Sequence, residues 1–138
     1  MRKFFLPFAF AIIIGCSSDN GNSVDNSSIV GNWKRVELFS QLVENGEFQH
    51  GFFIDESDCQ YNEVSLVVHN NNHAIQYFYS DLSGSCQIDQ EISSEVILSN
   101  GIYYLKSGPI LLELREINGY LYLKHNTGDN FWDRFERL

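Results

Sequence analysis

The chain is 138 residues long, room for one domain, and 43% hydrophobic and 14% aromatic residues with only two prolines exclude a disordered or low-complexity protein. A formal net charge of −9 argues against nucleic acid and anionic headgroups as partners of its surface.

Met1, Arg2 and Lys3 make a short basic start, followed by an apolar run over residues 4–14. That run is too short to cross a bilayer as a mature helix, which needs about 20 residues, and suits a secretory leader. Its end, Ile13-Ile14-Gly15-Cys16, resembles the bacterial lipobox: a branched apolar residue, a small residue, then the cysteine that lipoproteins link to diacylglycerol. The resemblance implies a signal peptide over 1–15, lipidation of Cys16 and anchoring in the cell envelope. Two or three acyl chains hold stably, since each buried CH₂ contributes about 0.8 kcal/mol and a single chain is marginal. Without Arg2 and Lys3, seven basic residues face eighteen acidic ones, a charge of −11. Residues 17–28 hold one apolar side chain, Val24, so 16–28 is expected to be a flexible linker of roughly 20 Å reach.

With Cys16 assigned to lipid, Cys59 and Cys86 are left as a pair. One disulfide is the expectation in an oxidising compartment. Metal is the rival, weakened by the lack of a CxxC or a nearby histidine pattern.

The body, residues 29–138, reads as strands. The opening stretch, Ile29-Val30-Gly31-Asn32-Trp33-Lys34, begins the first. Val64, Leu66 and Val68 alternate before Asn70-Asn71-Asn72, and Ile75, Tyr77 and Tyr79 alternate after it. Residues 87–99 give a less regular strand. Asn-Gly, the strongest short hairpin signal because both residues tolerate positive φ, stands at 45–46, 100–101 and 118–119. The last two bracket strands at 101–106 and 110–117, a strand at 120–125 follows the second, and 131–138 closes the chain. Residues 40–60 carry no clear period, and Phe48, Phe52 and Phe53 there read as strand extension or plug. Eight short strands in neighbour order suggest an all-β fold, a single antiparallel up-and-down barrel, with a β-sandwich as runner-up. An eight-stranded barrel is either filled by side chains or just wide enough for one small ligand.

Taken in order, the lipobox, the polar tether, Ile-Val-Gly-x-Trp-Lys at 29–34, the Asn-Gly turn, two cysteines flanking a hairpin and an aromatic last strand ending in basic residues resemble the lipocalin-like domain lipoproteins common in Bacteroidota. The resemblance implies a lipocalin-like (calycin) barrel in which Gly31 and Trp33 lie near the closed end. There a basic side chain of the last strand, Arg134 or Arg137, packs on the indole. It also implies an exported protein, most simply at the outer membrane. Where relatives carry an apolar residue two positions after the tryptophan, this chain has Arg35.

Arg35 sets up a conflict of phase. If Trp33 points inward, strict alternation brings Arg35 and Glu37 inward and sends Val36 and Leu38 out. Either a β-bulge near Lys34 or Arg35 restores Val36 and Leu38 to the core, or Arg35 and Glu37 are polar anchors of a ligand site. Tyr77, Tyr79 and Tyr103 are further candidates for a cavity lining.

Catalytic signatures are missing. His69 and His73 flank a turn without a third ligand, so no metal is expected. Asp55, Glu56 and Asp58 read as a solvated acidic loop, not a calcium site. No Gly-x-Ser-x-Gly elbow occurs, and His50 and His125 show no partner in the sequence. The expectation is a protein without enzymatic activity or cofactor, attached to the membrane through Cys16 and holding a small, apolar ligand. The alternative is a filled barrel serving as a protein-interaction or envelope scaffold module. An interior without a void above roughly 300 Å³ would leave no place for a drug-sized ligand.

Overall fold

Turn chemistry sets the strand count. Asn100-Gly101 and Asn118-Gly119 each place two consecutive residues at positive φ, the geometry whose twist matches that of the strands it joins. Ser83-Gly84 does the same at a hairpin with no Asn-Gly signal.

The computed structural model describes residues 27–55, 59, 64–127 and 129–138. The expected signal peptide, Cys16, most of the linker, and Glu56 and Asp58 lie outside the described residues. Among the described residues ten strands form one antiparallel sheet: β1 Gly31–Leu42, β2 Phe48–Gln49, β3 Phe52–Phe53, β4 Leu66–Val68, β5 His73–Leu82, β6 Ser85–Ser99, β7 Ile102–Ser107, β8 Ile110–Ile117, β9 Tyr120–Lys124 and β10 Phe131–Arg137. From β4 to β10 each strand pairs with the next. β4 and β10 both pair with β1, so eight strands close into an up-and-down barrel. Closure removes the sandwich alternative. β2 and β3 are the two extra pieces, and both run back along the second half of β1.

Alternation fills one half of this barrel. Trp33, Leu66, Val68, Ala74, Val96, Leu105, Leu114, Leu121 and Phe135 form the core together with Ile29, which enters from the chain before β1. Ile29 accepts the Trp33 indole N–H on its carbonyl at 2.9 Å. Arg137 crosses the same end: its guanidinium stands 4.3 Å from the Trp33 ring and donates to Val30 O and Ser28 O at 2.6 and 2.7 Å. Gly31, at φ +147°, leaves room for it, because a Cβ there would come within 2.9 Å of Arg137 Nη1. Of the two basic residues expected at the indole, Arg137 holds that place. Arg134, three residues earlier, lies on the opposite face of β10 with Glu37.

Cys59 and Cys86 are disulfide-bonded across 27 residues. The bond ties the segment before β4 to the start of β6, at the end of the barrel away from Trp33.

Candidate functional site

The phase conflict at Arg35 is resolved one residue later than expected. Trp33 pairs with Arg137 and Arg35 with Phe135, but Glu37 then pairs with Arg134, and Ser40 with Trp132. β1 thus carries two register shifts against β10, one between Arg35 and Glu37 and one between Glu37 and Ser40. The first puts the bulge past Arg35. Arg35 keeps the inward phase of Trp33 and Phe135, while Glu37 turns to the outer face beside Arg134. Of the two candidate anchors, one faces inside and the other does not.

Inside, Arg35 Nη1 lies 3.1 Å from Asp133 Oδ2. The second carboxylate oxygen, Oδ1, is 2.6 Å from His125 Nε2. All three side chains are largely covered, with 13%, 9% and 20% of their surfaces exposed for Arg35, Asp133 and His125. A buried carboxylate is tolerated here because both oxygens meet donors. Asp133 and His125 form part of the wall of a cavity of about 230 Å³ in the open half of the barrel, opposite the Trp33 end. Apolar side chains, among them Phe78, Ile92, Leu105, Leu112 and Leu123, make most of the wall's surface, and Gln76, Ser94, Ser107, Lys124 and Asn126 are its further polar residues. The Phe39 ring lies beside this corner, 5.1 Å from that of His125 and 5.7 Å from that of Phe131. Its φ of +58° is unusual for an aromatic residue and belongs to the second irregular stretch of β1, which swings the ring into this position.

This void is smaller than the roughly 300–1,000 Å³ of drug-sized sites. An engineered apolar cavity of about 150 Å³ holds benzene, so 230 Å³ corresponds to a molecule of about nine heavy atoms. The core packs around Trp33 towards one end of the barrel, and this cavity lies at the other.

Outside, Glu37 is fully buried although it faces away from the core. Residues 48–53 cover it. Its carboxylate receives Ser40 Oγ at 2.8 Å, the Gly51 backbone N–H, His50 Nδ1 at 3.0 Å and Arg134 Nη2 at 3.1 Å. Burial alone would push the carboxyl pKa up. The bonds from His50, Gly51 and Ser40, with the charge of Arg134, more than offset this and hold it below the ordinary carboxylate value. Phe48 completes the cover by stacking on Tyr122 at 3.8 Å and meeting Trp132 edge-on at 5.3 Å. Desolvation there raises the Tyr122 hydroxyl above its usual range, against the opposing pull of Arg134. Of the two readings of Phe48, Phe52 and Phe53, strand extension holds and plug does not: they lie on the short strands β2 and β3 paired with β1, in a strap that folds over the outer wall, where Phe52 and Phe53 stay exposed.

The tyrosine candidates fare differently from the arginine. Gln76 and Phe78 of β5 face the cavity, so Tyr77 between them points outward, and the Tyr79 hydroxyl donates to Val64 O at 2.6 Å instead of lining the void. Tyr103 is away from this cavity: it packs against the core towards the Trp33 end, where it lines a separate pocket of about 290 Å³ with Ser28, Gly101 and Leu114. His125 and His50, which lack partners in the sequence, bind Asp133 and Glu37. His69 and His73 stack, ring centroids 5.8 Å apart, and no group of three or more potential metal ligands occurs among the described residues. No family model, curated protein or solved structure matches the chain.

Proposed function

We propose that this is a lipid-anchored lipoprotein of the bacterial cell envelope, a member of the lipocalin-like lipoproteins it resembles, which binds a small, largely apolar molecule without transforming it. The observation that carries the binding role is the hollow half of the barrel: a 230 Å³ cavity with an apolar wall and one polar corner at His125 and Asp133. A barrel built only as a scaffold gains nothing from a void, since each unfilled volume forfeits packing. The anchor rests on the lipobox at 13–16, and the outer membrane is the simplest destination.

Native mass spectrometry of protein purified from its own host tests the binding role. A co-purifying molecule of about nine heavy atoms is expected, and its absence from protein isolated without detergent would count against the reading. Intact-mass analysis of the mature chain tests the anchor: a first residue Cys16 carrying diacylglycerol is expected, and an unmodified N-terminus elsewhere would overturn it.

A protein-interaction role has one observation of its own. Phe52 and Phe53 are 72% and 64% exposed, side by side on the outer strap. Loss of a cross-linked envelope partner on replacing both by serine, with ligand content unchanged, would favour that second reading.

A further inference from the structure

The polar corner of the cavity has a definite hydrogen-bonding sense, and this names the kind of ligand it takes, resting on the binding role proposed above. Arg35 only donates, so Asp133 must accept from it through Oδ2. On the other side the carboxylate again accepts, from His125 at 2.6 Å, which places the ring hydrogen on Nε2. In the neutral imidazole Nδ1 is then a bare acceptor. No described residue bonds to it, and His125 lines the cavity.

Charge points the same way. Arg35 and Asp133 neutralise each other, Lys124 of the lining holds its ammonium 5.6 Å from the Trp132 ring centroid, and the chain as a whole carries −9, so a ligand anion gains little here. Of the groups of the corner that line the void, the Asp133 carboxylate offers lone pairs, and so does the His125 ring in its neutral form, the form the pH 8 test below addresses.

We infer that the cavity selects a neutral molecule of about nine heavy atoms whose apolar body lies along Phe78, Ile92, Leu105, Leu112 and Leu123 and whose polar end donates a hydrogen bond to His125 Nδ1, a primary alcohol being the simplest case. Asp133 acts as a positioning residue that sets the tautomer, and Arg35 fixes which way Asp133 presents its oxygens.

Two probes of equal size separate donor from acceptor. 1-Octanol donates and accepts, whereas heptyl methyl ether only accepts. Each is titrated calorimetrically at pH 8 into the unlipidated chain from residue 17 onward, which contains every strand of the closed sheet. 1-Octanol is expected to bind about five- to tenfold more tightly, the ratio that one neutral hydrogen bond supplies. Equal affinities would overturn the donor selection while leaving the binding role standing. No binding of either probe would overturn the binding role itself and the selection with it.

Asp133→Asn adds a test of the tautomer. Its amide oxygen must face Arg35, so the amide nitrogen faces His125, Nε2 becomes the acceptor and Nδ1 carries the hydrogen. The preference for the alcohol should fall to within about twofold, since both probes accept. A retained tenfold preference would refute the role of Asp133. Should Asp133→Asn fail to fold, His125→Phe keeps a ring and removes the acceptor, and it is expected to level the two affinities in the same way.

Discussion

Glu37 Oε2 lies 3.1 Å from Arg134 Nη2 on the outer face of the barrel, and the same carboxylate oxygen takes the ring nitrogen of His50 at 3.0 Å. A fully buried acid on the outside of a barrel exists only because the strap over residues 48–53 seals it, and the strap stays down because the acid holds it. Glu37→Gln keeps the size of the side chain but leaves the Arg134 charge without its partner. A loss of about 2–4 kcal/mol is expected in urea unfolding, since breaking a buried pair strands the remaining charge. His50→Ala, on a side chain 64% exposed, should cost less than about 1 kcal/mol. Equal effects of the two changes would mean that the strap is held by something else.

The lowered pKa of Glu37 sets a direction for stability against pH. A group whose folded pKa lies below its unfolded value contributes its full share above the unfolded value, near 4.5, and loses it as pH falls through the folded one. The urea midpoint of the wild-type protein should therefore drop on acidification below about pH 4.5, and the drop should be smaller in Glu37→Gln, which has no proton to take up. Parallel curves for the two proteins would show that the pH dependence comes from other carboxylates.

Gly51 meets the Glu37 side chain through its backbone N–H and has no space for a side chain of its own. A Cβ there would lie 2.0 Å from Leu38 O and 2.6 Å from the Phe39 carbonyl carbon, both backbone atoms that cannot step aside. Gly51→Ala is expected to lift the strap, costing about 3 kcal/mol or more. Limited proteolysis should then cut within residues 43–54 while the barrel stays protected. A cleavage pattern like that of the wild type would place the strap under no such constraint.

Much of the wall could be read from the sequence, because it follows from local rules. The turns at Asn100-Gly101 and Asn118-Gly119 and the alternation of Ile110, Leu112 and Leu114 are properties of neighbouring residues, and all the expected wall strands form. The barrel's polar contents were not legible in this way. Arg35 and Asp133 are 98 positions apart, and which of Arg35 and Glu37 faces inward depends on a bulge whose place is fixed by pairing with β10. The alternation of Tyr77 and Tyr79 is visible, but its sense is set by Gln76 and Phe78, whose inward direction no local rule gives. The strap was hidden for a different reason. Phe48, Phe52 and Phe53 show no period because they sit on two-residue strands, too short for alternation to register, that extend the sheet from β1 and fold over the outer wall, and a buried outer glutamate has no sequence signal.

The disulfide between Cys59 and Cys86 closes a loop of 27 residues on the hollow half. On the chain-entropy account its removal is expected to cost about 3–4 kcal/mol. Urea unfolding with and without reductant, and of the double change Cys59→Ser with Cys86→Ser, should agree on that loss. A midpoint unaffected by reductant, with both thiols free to alkylation afterwards, would show that the loop needs no staple.

At the Trp33 end, Arg137 binds three things at once: the Trp33 ring at 4.3 Å and the carbonyls of Val30 and Ser28. Arg137→Ala removes a cation over an indole face and two charged donors to backbone, and exposes the indole whose N–H holds Ile29. Because Arg137 is itself solvent-exposed, the expected loss is modest, about 1–3 kcal/mol, with a shift of Trp33 emission to longer wavelength as water reaches the ring. Arg137→Lys keeps the charge but has one compact ammonium in place of a planar fork, so it is expected to recover less than half of the loss. Full recovery by lysine would reduce the interaction to charge alone and remove the reason for Gly31 to leave room for a guanidinium. Unchanged stability and emission in Arg137→Ala would show that Ile29 and Trp33 close this end without it.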